Sequence, residues 1–128
     1  MAYSNTLNYV VGDTLPELTF KLKDRNTAAS GAVLDEEDSN TWAPISITGG
    51  SVKLRIRPVG DTNLSATLTC AITDGANGTC ATDFSVSGGG SVFTASGVYE
   101  GEVEITFSGG GKQTVNDLLK FKVRDDFD

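Results

Sequence analysis

A chain of 128 residues with 38% hydrophobic and 21% charged residues has the makeup of one globular domain able to bury its own core. Its formal net charge of −7 argues against a free-standing nucleic-acid binder, which would carry a basic face. No run approaches the ~20 apolar residues of a membrane span, and the start, MAYSNTLNYV, lacks the basic-then-apolar order of a secretion signal.

In chain order, TLNYVVGD reads as an edge strand. LPELTFKLKDR then alternates Leu18, Phe20 and Leu22 against Thr19, Lys21 and Lys23, the period of a strand with one face in a core. Residues 25–50 break the pattern. They form one long connection with an acidic run, Asp35, Glu36, Glu37 and Asp38, followed by Trp42 and Pro44. Loops of this length inside a compact domain tend to be functional or mobile. The acidic run and Trp42 are therefore candidate interaction residues. Trp42, the only tryptophan, either folds back as a lid over one end of the domain or docks on a partner, and the lid is favoured.

Regular alternation resumes at SVKLRIRP, with Val52, Leu54 and Ile56 against Lys53, Arg55 and Arg57. It continues in LSATLTCAITD and, after the turn DGANG, in CATDFSV, where Cys80, Thr82, Phe84 and Val86 share a side. A hairpin closed by Thr73 and Thr79 sets Cys80 opposite Ile72 and Cys70 opposite Thr82. The cysteines are then diagonal neighbours, poorly placed for a disulfide, and two reduced buried thiols are favoured.

GVYEGEVEITF carries the longest alternation: Tyr99, Gly101, Val103, Ile105 and Phe107 on one side, with Glu100, Glu102 and Glu104 between them. SGGGK supplies a hairpin turn. LLKFKVRDDFD follows with Leu119, Phe121 and Val123 inward and Lys120, Lys122 and Arg124 outward; Asp125, Asp126 and Asp128 read as a solvated tail. A plain hairpin closed by Ser108 and Lys112 sets Glu100 opposite Lys120 and Glu104 opposite Asn116, and a bulge at VND would slide other lysines into register. TVNDLLKF is the one place where a turn of helix could intrude. The three glutamates face basic neighbours if their strand lies beside one of the Lys/Arg strands, and are candidates for contact within this chain or across a subunit boundary.

About seven strands at roughly ten-residue spacing make a single antiparallel β-sandwich spanning residues 1–128, with a closed barrel as the alternative. Tyr99, just after Ser96 and Gly97, is the candidate for the tyrosine corner of an immunoglobulin-like sandwich, its hydroxyl bonded to backbone a few residues upstream. Gly101 stands where the second cysteine of an antibody-type domain would be.

Chemistry finds little purchase in this composition. There is no histidine, so the usual general base and the commonest transition-metal ligand are missing, and two cysteines cannot complete a zinc site. GGGK is followed by Gln113 and no helix, which is not a phosphate loop. The glutamates lie on one flat face rather than across a cleft, as glycoside hydrolysis would need. The acidic run lacks the spaced ligands of a calcium loop. The expectation is a protein without catalytic residues, cofactor or metal.

Three segments, VGDTLPELTFKLKD, ITGGSVKLRIRP and GVYEGEVEITFSGGGKQTVNDLLKFKVRDDF, stand in an order that resembles the N-terminal domain of tailed-phage upper baseplate proteins. That domain has the pattern G-D-T-x-P-x-L-x-F-x-L-x-D, then L-T-G-A-x-V-x-F-x-x-R, then G-x-Y-x-A-E-F-x-V-T-F-x-D-G-K-x-Q-T-x-P-N-D. The likeness covers nearly the whole chain. It departs in the longer loop with DEEDSNTW, in SGGGK for DGK, and in having no stalk after the domain. The resemblance implies an immunoglobulin-like, non-enzymatic attachment module of a virion, in contact with other virion proteins and present in repeated copies. A stand-alone copy belongs in the tail or baseplate; decoration of the capsid, or the neck, is the alternative. A carbohydrate-binding or adhesion module is the rival from another class, with Trp42, Tyr3 and Tyr9 as its aromatic candidates.

Overall fold

The computed structural model describes residues 3–86, 89–115 and 118–127. Its strands are β1 (Tyr3–Val10), β2 (Leu18–Lys21), β3 (Lys23–Ala28), β4 (Trp42–Pro44), β5 (Ser51–Pro58), β6 (Ala66–Asp74), β7 (Thr79–Thr82), β8 (Ser85–Val86), β9 (Gly90–Ser91), β10 (Gly97–Thr106), β11 (Lys112–Thr114) and β12 (Leu118–Arg124). The chain is all-β. One dominant curled sheet runs in the order β1-β12-β10-β5-β6-β7-β2, with β11 paired to β10; β3–β4 and β8–β9 are two small antiparallel sheets.

The curl has a corner in β6. Through Cys70 this strand pairs with β5, and from Ala71 onward it pairs with β7. The sheet thereby folds over, so that Phe20 and Leu22 from the β2 end share a groove with Val103 and Leu119 from β10 and β12. The inward rows expected from alternation are the buried ones: Val52, Leu54 and Ile56 on β5, Tyr99, Val103 and Ile105 on β10, Phe121 and Val123 on β12. Phe107 is only partly buried. Five aromatic rings form the centre. Tyr9, Phe84, Phe93 and Phe121 lie within 6.1 Å of one another, centroid to centroid, and Tyr99 meets Phe93 edge-on at 5.3 Å. Such edge-to-face and tilted pairs add about 0.5–1.5 kcal/mol each beyond the area they bury.

Several expectations need correction. The strands exceed the expected seven because short pairs form in segments read as loop or turn. The sheet is not wholly antiparallel: β1 runs parallel to β12. These two strands are joined through the whole intervening chain, so no hairpin forces them antiparallel. The alternation of residues 18–23 is not one strand. It is interrupted at Leu22, whose N–H donates to the Gly78 carbonyl while its own carbonyl accepts from Ile45, both at 2.9 Å. Three segments converge there, and only glycine fits: a Cβ at Gly78 (φ +71°) would stand 2.5 Å from the Leu22 carbonyl oxygen and 2.6 Å from that of Ile45.

Residues 25–50 are likewise not structureless. They contain most of β3, a 3-10 turn over Ser39–Thr41, and β4, and they bury Ile47 at 1% exposure. CATDFSV breaks after Thr82, where the Phe84 N–H turns to the Thr14 carbonyl at 2.9 Å. The last hairpin closes one residue earlier, at Phe107 and Gly111 rather than at Ser108 and Lys112. Phe107 N–H donates to the Gly111 carbonyl and Gly110 N–H to the Phe107 carbonyl, with Gly110 at φ +93°. Glu104 therefore faces Thr114, not Asn116, whereas Glu100 faces Lys120 as expected. The two registers differ by two residues, taken up between Thr114 and Leu118. Asn116 and Asp117, where a bulge or helical turn was anticipated, lie outside the described residues.

Candidate interaction surfaces

The glutamate row is built by strand register. β10 lies antiparallel to β5, with Glu100 opposite Arg57, Glu102 opposite Arg55 and Glu104 opposite Lys53. Arg57 Nε donates to Glu100 Oε1 at 2.7 Å. Arg55 Nη2 reaches diagonally past Glu102 to Glu104 Oε1 at 3.0 Å. The side chains of Glu100 and Glu104 are only 12% and 14% exposed. Glu102 has no ion pair among the described residues. It borders a shallow cleft of about 160 Å³ with Arg55, Arg57, Leu64 and Leu118 around the backbone of Gly101. The row is thus largely an internal ladder, in which Glu102 remains available.

The acidic loop organises itself around Asp35. The Asp35 carbonyl accepts from the Asp38 N–H at 3.0 Å, from the Thr41 hydroxyl at 3.0 Å and from Trp42 Nε1 at 2.9 Å. Asp38 Oδ1 caps the 3-10 turn by accepting from the Asn40 N–H. Arg25 ties the loop to β3: its Nε donates to the Glu36 carbonyl, its Nη2 lies 3.6 Å from Glu37, and its guanidinium sits 5.7 Å from the centre of the Trp42 ring. The four acidic residues all remain exposed. No group of three or more metal-binding side chains occurs among the described residues.

Trp42, held from above by this loop, is half-buried and walls a groove of about 490 Å³. Phe20, Leu22, Ile45, Val103, Val115 and Leu119 supply its apolar lining, and Lys21 and Lys23 stand at its edge. The indole sits on a strand, β4, rather than in a loop. Tyr9 does not serve as an exposed aromatic. It is 7% exposed among Phe84, Phe93 and Phe121, and the side chain of Tyr3 lies outside the described residues.

No protein-family model matches this chain, and no curated protein matches it. Among the described residues no helix is long and apolar enough to cross a membrane.

Two smaller expectations concern single side chains. The Tyr99 hydroxyl donates to the Ala95 carbonyl at 2.7 Å, four residues upstream. Cys80 stands opposite Ile72, and both cysteines are buried free thiols. The hydrogen bond with Cys80 and then burial push the Cys70 thiol up, so it is kept protonated and unreactive. Sequence reasoning missed the groove. Its lining comes from five strands and the connections beside them, and no local spacing marks such a meeting. The signal that existed was the set of inward apolar residues Phe20, Leu22, Val103 and Leu119.

Proposed function

We propose that this chain is a non-enzymatic structural protein of a tailed-phage virion, an immunoglobulin-like β-sandwich working through protein–protein contacts in the tail, baseplate or attachment apparatus. One observation carries the reading. The three segments that resemble the baseplate domain supply β2, β5 and β10 to β12, the strands that make most of the main sheet. The Tyr99–Ala95 hydrogen bond adds support, since an immunoglobulin-like sandwich uses such a bond to fix the corner before its longest strand. The partners are other virion proteins, with repeated copies of this chain in the assembly.

The test is mass spectrometry of purified virions with quantification of copy number. Few copies per particle, co-purifying with tails, support the reading. Many copies on tail-free heads favour capsid decoration instead. Absence from virions made while the protein is expressed defeats both.

A further inference from the structure

Two residues inside the main sheet pair on one side only. Pro58 has no N–H to give, and beside it the Val59 N–H donates to the Val98 carbonyl at 3.0 Å. This fixes the phase of β5: Arg57, Arg55 and Lys53 exchange backbone bonds with β10, and Ile56, Leu54 and Val52 with β6. The residues of β6 that answer them are Ala66, Leu68 and Cys70. Thr67 and Thr69 therefore turn their N–H and C=O groups away from β5. β7 does not reach them, because its pairing with β6 begins at Ala71. Among the described residues these four backbone groups have no protein partner. They open into a cleft of about 430 Å³, with residues 65–69 on one side and Thr82, Asp83, Ser85 and Val86 on the other.

The chain cannot fill this cleft from its own next residues. Extending β7 would lay Asp83 against Thr69 and Ser85 against Thr67. Phe84 between them is wholly buried among the core rings, its N–H is held by the Thr14 carbonyl, and Ser85 and Val86 pair with β9. An extended backbone repeats a donor and an acceptor at the two-residue spacing of Thr67 and Thr69. The segment SATLT at 65–69 has neither the charge nor the proline that ordinarily blocks such pairing. No aromatic side chain among the described residues lines the cleft, so a sugar ring has nothing to stack on. We propose that the cleft receives an extended segment of a partner polypeptide, added antiparallel to β6 along the line that β7 leaves. Its residues opposite Thr67 and Thr69 bond to them and carry small polar β-branched side chains beside the two exposed threonines. The residue between them points inward with the buried Leu68 and is apolar. Asp83 is the one charged side chain lining the cleft among the described residues, which disfavours an acidic segment. This strand addition does not rest on the virion reading and stands or falls separately.

The test is amide hydrogen exchange, read by NMR on the full chain, alone and with the capped peptide TVTVT. Alone, the Thr67 and Thr69 amides should exchange at least about tenfold faster than those of Leu68 and Cys70, which bond to β5. The peptide should slow both saturably, by about tenfold or more. A peptide N-methylated on its threonines should have no effect, and one N-methylated on its valines should keep it. Thr67→Pro removes an N–H that bonds nothing in the free chain, so melting should change little while the peptide's effect at Thr69 is lost. Thr67 and Thr69 amides as protected as that of Leu68 in the free chain overturn the proposal, because the cleft is then closed. So does exchange that the peptide leaves unchanged up to about 5 mM. Equal protection by the threonine-methylated peptide overturns the ladder pairing. Protection by maltoheptaose in place of the peptide overturns it in favour of a glycan.

Discussion

Gly101→Ala tests how tightly the centre of the sheet is determined. A Cβ built at Gly101 would lie 2.8 Å from Phe121 Cε2 and 3.1 Å from Leu54 Cδ1. Both side chains are wholly buried. Phe121 cannot yield alone, because its ring lies 5.6 Å from Phe84, 5.6 Å from Phe93 and 6.1 Å from Tyr9. Overpacking of this kind costs about 1–3 kcal/mol. Against it, alanine stabilises by about 0.4–1 kcal/mol through the reduced freedom of the unfolded chain. The net loss should be about 1–2 kcal/mol, a fall of roughly 3–10 °C in melting temperature for a domain of this size. Urea unfolding followed by circular dichroism measures it. Phe121→Leu should cost less in the Gly101→Ala background than in the native one, since the two positions share the same space. An alanine variant as stable as the parent, or a cycle that is additive, would refute the packing argument.

Tyr99→Phe should lose about 0.5–1.5 kcal/mol in the same assay by deleting the bond to Ala95, while Tyr99 keeps its ring contact with Phe93. A double-mutant cycle of Glu100→Gln with Arg57→Gln should give a coupling of about 0.2–1 kcal/mol that shrinks at high salt, whereas Glu102→Gln should be nearly neutral. An equal cost at Glu102 would contradict the ladder as described. Acid should act through Asp83, whose carboxyl is held below its ordinary 3.8 by the Ser85 hydroxyl and N–H. A lowered folded value means the contribution is complete above 3.8 and fades as pH falls through the lowered value. The stability difference between the native chain and Asp83→Asn should therefore narrow below about pH 4 in urea titrations.

Alternation made the inward rows legible, because a strand's side-chain period follows from backbone geometry alone. It could not show where a strand changes partner. Leu22 keeps the period of its neighbours while its hydrogen bonds pass from one sheet to another, so the pattern reads straight through the break. Charge sign was equally legible, but strand order was not. Glu100 to Glu104 could be matched with any basic strand, and only the pairing with β5 assigns Arg57 and Arg55 to them. Within residues 35–42 the chain gathers around one backbone carbonyl, that of Asp35, which accepts from three donors. A backbone acceptor leaves no mark in the sequence. Ile47 was visible as an apolar residue, but nothing around it alternates.

The ladder also decides where the chain can present charge. On the β10–β5 face Glu100 and Glu104 pair with Arg57 and Arg55, and Lys53 offsets the charge of Glu102, so that face offers little net field. The net −7 must then be expressed elsewhere: on the exposed carboxylates of residues 35–38, beside Arg25 and Lys23, on Asp125 and Asp126, beside Arg124, and on the exposed Asp13, Glu17, Asp61 and Asp74. The acidic surface is therefore spread over several loops and the tail, and Lys21 and Lys23 stand beside the groove under Trp42. Catalysis needs charges converging on one cleft. Here the described charges are paired along a strand or dispersed to the periphery, a distribution that supports the proposal of a protein working by contact.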